Sequence, residues 1–448
     1  MKMNKKISVK TAGLFFGSAA VLGIVASGSA LAGELTSDEC LINTKGGVHL
    51  KYAKDKRYWF ALAGLIQADQ TFFMGTTRDK STSFPSGANL RNIVLGVTGG
   101  VGEHWSYVMS FDILGKDVLI DDTYITYSGF CDNASVSVGR VPGQFFGFDS
   151  SNSSSWTPFL EKNLVANAFY PGDGLGVMGR MWWDNGAVIL TAFQPDQGDE
   201  TFVHGSQLLP AQDANPHIPF PRDRWTTTAR VTFSPLHDDC DVYHFGASAS
   251  WRERLTSINN TPVALMRFRT YPGAKGRARD GGQLNTTARL LDTGHLRANN
   301  RWQFNVEAAR QWGPVIIDGE YTTVFVHRVG DPQGSLRFQG YNIQGRYLLT
   351  GERHEYDVKE GNFCAVKPLS ECGAVELAVR HDFVNLNNKN VIGGSEHNTS
   401  VGINWYLNDN VRLSGNYVRA NIHPGNFAAV ALNKRHLDIV ALRAQVRF

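Results

Sequence analysis

Beyond its first 32 residues, the 448-residue chain has no apolar run of the ~18 residues that a membrane helix needs; the longest, WFALAGLI at 59–66, is strand-sized. It has no C-x-x-C pair, no H-E-x-x-H and no G-x-S-x-G, so zinc-ribbon, zincin and hydrolase-elbow chemistry have no support. Its 13 histidines are scattered without ligand spacing, and no metal or cofactor is expected. Charged residues make up 19%, against ~25% in soluble domains. No linker, low-complexity stretch or short tandem repeat is present. Cysteine is scarce at five, an odd number: Cys40, Cys131, Cys240, Cys364 and Cys372. Cys364 and Cys372 bracket one loop and are the pair expected to bond in an oxidising compartment.

The amino-terminal segment has its own pattern. Lys2, Lys5, Lys6 and Lys10 precede an apolar run from Ala12 to Val25, then small residues ending Ala30-Leu31-Ala32. It reads as a secretory signal at 1–32, cut after Ala32, with a membrane anchor as the alternative. Without its four lysines the 44 basic residues fall to 40 against 41 acids, net −1, which gives nucleic acid no reason to bind. Residues 33–57 read as a periplasmic segment ahead of a domain at 58–448.

Period-two patterning is what the rest contains. In LDIVALRAQVRF, Val440, Leu442, Ala444, Val446 and Phe448 fall on one face, and Ala441, Arg443, Gln445 and Arg447 on the other. Such strands are expected near 58–74, 89–99, 105–113, 121–128, 135–141, 174–183, 187–195, 225–233, 242–252, 301–311, 315–328, 340–350, 374–384, 397–407, 411–420 and 437–448. In the ninth, Tyr243, Phe245, Ala247, Ala249 and Trp251 oppose His244, Gly246, Ser248, Ser250 and Arg252. Short turns such as Asp184-Asn185-Gly186 and Asn408-Asp409-Asn410 alternate with long polar loops at 75–88, 142–173, 196–224, 253–300, 384–396 and 421–436. The segment 351–373 is the misfit, long but in the short-turn class. The fold class is therefore all-β, a transmembrane antiparallel β-barrel of about sixteen strands. Its polar, glycine-rich inward face suits a wet channel, and Phe448 reads as an outward interface aromatic closing the barrel.

GLIQAD (64–69), GRVPGQFFGFDSSNSSSWTPFLEKNL (139–164), FSPLH (233–237), LTGE (349–352), GAVELAVRHD (373–382) and above all VGINWYLNDNVRLSGNYVRA (401–420) resemble the phosphate-selective porins of the O/P type. The resemblance runs from about Gly46 to Phe448. It implies a bacterial outer-membrane porin exported via the periplasm, a homotrimer set in lipid and lipopolysaccharide, and a third loop folded inward. It also implies passive anion diffusion along an arginine ladder. The terminal aromatic is similar to the signal read by the barrel-assembly machinery.

By face, Arg230, Arg252, Arg346, Arg380, Arg412, Arg443 and Arg447 are expected to line the lumen, with Arg140 at the base of the third loop; guanidinium groups stay charged and favour anions such as phosphate. The competing reading pairs them with the lumen acids Asp112, Glu307, Asp318, Glu320, Glu376 and Asp382. The sequence departs from the family at Leu65, which replaces an arginine, and at Ser150 and Ser155, which replace loop-three lysines. Lys162 keeps a basic position and Asp112 its carboxylate. A hydroxyl can bond phosphate but cannot neutralise it, so weakened phosphate specificity is expected. GLGVMG (174–179) lies in a strand with no helix after it and is no dinucleotide site; Asp318 and Glu320 share a face without a substrate pocket. The expected function is thus a diffusion channel and not an enzyme. The alternative is a surface adhesin or structural anchor working through loops 196–224 and 253–300.

Overall fold

This computed structural model describes residues 57–75, 84–114, 118–143, 145–195, 225–238, 241–252, 264–279, 287–328, 330–428 and 435–448, with short strands at 35–36, 40–43, 48–52, 257–258, 261–262 and 284–285. The expected signal at 1–32, the loop 196–224 and Cys240 lie outside the described residues.

Sixteen long strands follow one another as antiparallel neighbours: β1 (Trp59–Gly75), β2 (Gly87–Val101), β3 (Trp105–Asp112), β4 (Leu119–Tyr127), β5 (Ala134–Val141), β6 (Gly174–Trp183), β7 (Gly186–Pro195), β8 (Thr226–His237), β9 (Asp241–Arg252), β10 (Leu296–Trp312), β11 (Val315–Arg328), β12 (Leu336–Leu348), β13 (Ala374–Asn388), β14 (Val391–Tyr406), β15 (Val411–Pro424) and β16 (His436–Arg447). β16 then pairs with β1, from Leu437↔Gly75 to Arg447↔Leu65, which closes the sheet and removes its edges. Phe448 completes the seam: its N–H donates to the Gly64 carbonyl at 3.0 Å, and the Gly64 N–H donates back at 2.7 Å. The ring lies over Gly64, where an added Cβ would meet the Cε atoms at 2.8 Å. Below the seam, the strand at 48–52 pairs with the start of β1, from Val48↔Leu62 to Lys51↔Trp59.

The alternation sorts the faces. On β14, Val401, Ile403 and Trp405 are 50%, 50% and 44% exposed on the outside, while Ser400 and Asn404 are wholly buried inside. An exposed apolar outer face over polar inner positions is the transmembrane-barrel arrangement. β9 and β16 follow the expected parity along their length. The loop expected at 384–396 is instead strand: β13 runs to Asn388, β14 starts at Val391, and Lys389, at φ 54°, helps turn the chain between them. Its polar letters mark a hairpin rising past the bilayer, where polar groups can face outward.

The inner face is not polar throughout. On the outer halves of β11–β16, Val324, Val326, Phe338, Val384, Ile422, Leu437 and Ile439 point inward and form one apolar cluster with Met266, Phe268, Leu290 and Leu291 from the β9–β10 loop. That loop therefore enters the barrel mouth. Its Lys275 carbonyl accepts from Thr71 Oγ1 at 2.9 Å on β1, and its Leu290 carbonyl accepts from the Gly425 N–H at 3.0 Å beyond β15. Phe268 stacks at an angle on Phe338 and edge-on against Phe169. The described part of loop 253–300 thus fills the mouth and is not free on the surface. Burying these large apolar side chains is what holds it there.

Candidate channel interior

The segment 145–173, between β5 and β6, crosses the interior with two short helices, α1 (Phe148–Ser151) and α2 (Leu164–Phe169), the second capped by Asn163, whose side chain accepts from the Ala166 N–H at 2.8 Å. Polar side chains from around the wall hold its backbone. Glu320 accepts from the Phe148 N–H at 2.9 Å and from Asn163 Nδ2 at 2.7 Å. Asn416 and Asp382 accept from the Leu160 and Leu164 N–H groups, both at 2.7 Å. Arg380 and Arg412 donate to the Glu161 and Thr157 carbonyls at 3.1 and 2.9 Å. A segment without its own ladder has to find these partners once buried.

The loop-three residues take specific places. Lys162 Nζ donates to the Ser150 carbonyl at 2.6 Å, and burial lowers its ammonium from the usual value. The Ser155 hydroxyl meets that of Ser153 at 2.8 Å, while its carbonyl accepts from Gln445 at 3.2 Å. Glu161 takes Arg91 in a fork at 2.9 and 3.2 Å. Burial raises the Glu161 carboxyl, but the charges of Arg91, Lys275 and Arg443 outweigh it and bring it to about 2. At the loop base burial pushes Asp173 up to about 6, although it accepts from the Gly143 N–H at 3.0 Å and from the Tyr170 hydroxyl.

Most inward arginines face carboxylates. Arg443 grips Asp69 with two bonds of 2.7 Å. Arg230 meets Glu307 at 2.6 Å, and Glu307 also takes His244 at 3.1 Å. Arg346 lies 3.3 Å from Asp318, and Arg380 3.8 Å from Asp382. Glu376 is held by His354, Asn404 and Tyr406, and the Asp112 carboxylate accepts from the Leu114 N–H at 2.8 Å. Arg252 and its cross-strand partner Arg301 both reach the Pro171 carbonyl. Arg412 and Arg447 differ. Arg412 donates to the Thr157 carbonyl and to Gln445 Oε1, and Arg447 to the Asp409 carbonyl at 2.8 Å, all neutral acceptors. Both line a cleft at the short-turn rim with Ser155, Tyr406 and Gln445.

Two expectations are corrected. Arg140 does not face inward: its register partners are Thr123 and Leu175, and Leu175 is 65% exposed on the outer face. It shares parity with Val138, and pairs with Asp121 at 3.0 Å and Asp173 at 3.8 Å. Cys364 and Cys372 are free thiols. The Cys364 carbonyl accepts from His354 inside, while that of Cys372 accepts from the outward Trp405, so the loop holds them apart on two faces.

The sequence reading missed that 351–373 enters from the short-turn rim. Its Glu360 and Gly361 carbonyls accept from Arg230, Glu360 pairs with Arg180, and the Tyr356 hydroxyl meets His244 at 2.6 Å. Asn362 reaches loop three at the Ser151 carbonyl. Its misfit length was the signal that could have found it.

A closed sixteen-strand barrel with a lipid-type outer face and loops folded into a polar interior defines a porin of the bacterial outer membrane. The chain belongs to the family of phosphate-selective porins O and P, whose sequence profile matches residues 60–448. It is 27% identical to Porin O of Pseudomonas aeruginosa over 436 residues, 90% of this chain and 92% of that one. In fold it is similar to a loop-L8 deletion mutant of OmpT, an outer-membrane protein of Vibrio cholerae (TM-score 0.52, 9% identity, 88% of this chain and 100% of that one). It is also similar in fold to an anion-selective porin from Comamonas acidovorans (TM-score 0.51, 10% identity, 87% and 99%). The protein is an outer-membrane channel.

Proposed function

We propose that the channel passes small hydrophilic solutes by passive diffusion, as a homotrimer, with a modest preference for anions and weakened specificity for phosphate. The observation that supports it is the placement of Arg412 and Arg447, two inward guanidinium groups given to neutral acceptors beside a cleft at the short-turn rim. Fixed positive charge at a constriction lowers the barrier for anions. The modesty follows from the rest of the ladder. Arg230, Arg346, Arg380 and Arg443 sit against carboxylates, and a neutralised guanidinium adds little field. Loop three offers carbonyls at Ser150 and Ser155 where the family resemblance implies lysines.

The test is single-channel recording of purified protein in a planar bilayer in KCl, with phosphate added to one side. Open steps whose chloride conductance falls gradually at millimolar phosphate fit the proposal. Block at micromolar phosphate contradicts weakened specificity, and absence of steps contradicts the channel reading.

A further inference from the structure

Glu396 and Asn398 are adjacent inward positions on β14, both wholly buried. Neither carboxylate oxygen of Glu396 and neither amide atom of Asn398 makes a well-formed hydrogen bond, the Asn398 side chain being, among the described residues, the one polar group that acts as a donor toward Glu396. Across the sheet Glu396 stands between Val384 and Ile422, and Asn398 between Asp382 and Ala420. Among the described residues, the one charge acting on Glu396 is that of Asp382, of the same sign. Asp382 gives one oxygen to the Leu164 N–H at 2.7 Å and leaves Oδ1 without a hydrogen bond. Arg380 is the counter-charge of Asp382 but makes no hydrogen bond to Oδ1: its Nε stays 3.8 Å away, its Nη1 is committed to the Glu161 carbonyl, and its guanidinium lies 4.3 Å over the Phe159 ring. The β9–β10 loop covers the place, with Gly273 against Val418 and Asn398.

A buried carboxylate whose one side-chain donor among the described residues is the Asn398 amide, and which has no counter-charge there, is costly, so something neutralises it. A proton would serve one of four acceptor oxygens: two on Glu396, one on Asn398, one on Asp382. A hard cation would serve all four. Cross-strand neighbours lie ~5 Å apart and diagonal ones ~7–8 Å, which lets side chains of these lengths converge on one ion. A set of carboxylate and amide oxygens alone is calcium's ligand chemistry. We infer that Glu396, Asn398 and Asp382 form a calcium site that fastens the inward β9–β10 loop to the β13–β14 wall.

The full chain, folded in detergent free of lipopolysaccharide and stripped with EDTA, is titrated with calcium chloride by calorimetry. One saturable calcium per chain is expected, and it is lost in Glu396→Gln and Asn398→Leu variants that keep the heat-modifiable gel shift of a folded barrel. In the unmodified protein calcium is expected to slow proteolysis within 264–295, a readout that needs no variant to fold. Equal calcium binding by the unmodified protein and Glu396→Gln overturns the site, as does absence of saturable binding in the unmodified protein.

Discussion

Replacing Glu161 by glutamine should loosen loop three and leave the barrel standing. Glu161 is 8% exposed and takes the Arg91 guanidinium in a fork. Its carboxyl falls from 4.5 to about 2, which converts to about 3 kcal/mol favouring the ionised pair. Breaking one side of a buried ion pair costs ~3–5 kcal/mol, in the same range. Glutamine keeps one acceptor for Arg91, so a loss of about 2 kcal/mol is expected. The backbone anchors at Leu160, Glu161 and Leu164 remain, so the loss falls on the loop. The pH sign follows. A lowered carboxyl stabilises above its unfolded value near 4.5, and that stability is lost as pH falls through about 2. Unmodified channels should thus stay quiet from neutral pH to about 4 and become noisy only toward 2, whereas the variant is noisy at neutral pH. Bilayer recordings and thermal unfolding read both. Unchanged open-channel noise and an unchanged midpoint in the variant would refute the tether.

Other outcomes follow from the same geometry. Asp173, raised from 3.8 to about 6 by burial, contributes a cost that appears as pH rises from about 4 to 6, so Asp173→Asn should raise the unfolding midpoint at pH 8 and leave it unchanged at pH 4. Gly64→Val would drive a side chain into the Phe448 ring and open the seam; the yield of heat-modifiable barrel should fall, and Gly64→Ala should fall less. Phe268→Ala removes a wholly buried ring between Phe169 and Phe338. At ~3–5 kcal/mol of lost packing, the mouth loop should become cleavable by protease while the barrel stays intact.

Strand positions and faces were legible because period two writes both into the local sequence. Val401, Ile403 and Trp405 against Ser400 and Asn404 need no distant information. The slip at Arg140 was one of parity: its face follows from Val138 two positions earlier, yet its place beside the third loop suggested the lumen. The filled mouth was not legible. Phe268 and Leu290 lie in an irregular loop, and their apolar partners Val384, Ile422 and Ile439 belong to distant strands. Only closure of the barrel brings them together. At those strand ends the pattern inverts, with Leu437 and Ile439 inward and His436 and Asp438 outward, so a reading that assigns every apolar face to lipid misses it. The arginines were found as residues. Their compensation was not, because Arg443 meets Asp69 only across the seam between the last strand and the first.

The most direct test of an anion-leaning channel is the reversal potential in a planar bilayer under a KCl gradient, for the unmodified protein and for Arg412→Gln combined with Arg447→Gln. The account predicts a potential of anion-selective sign that moves toward zero in the double variant, with open steps retained. A cation-selective sign, or a double variant as anion-selective as the unmodified protein, would contradict it.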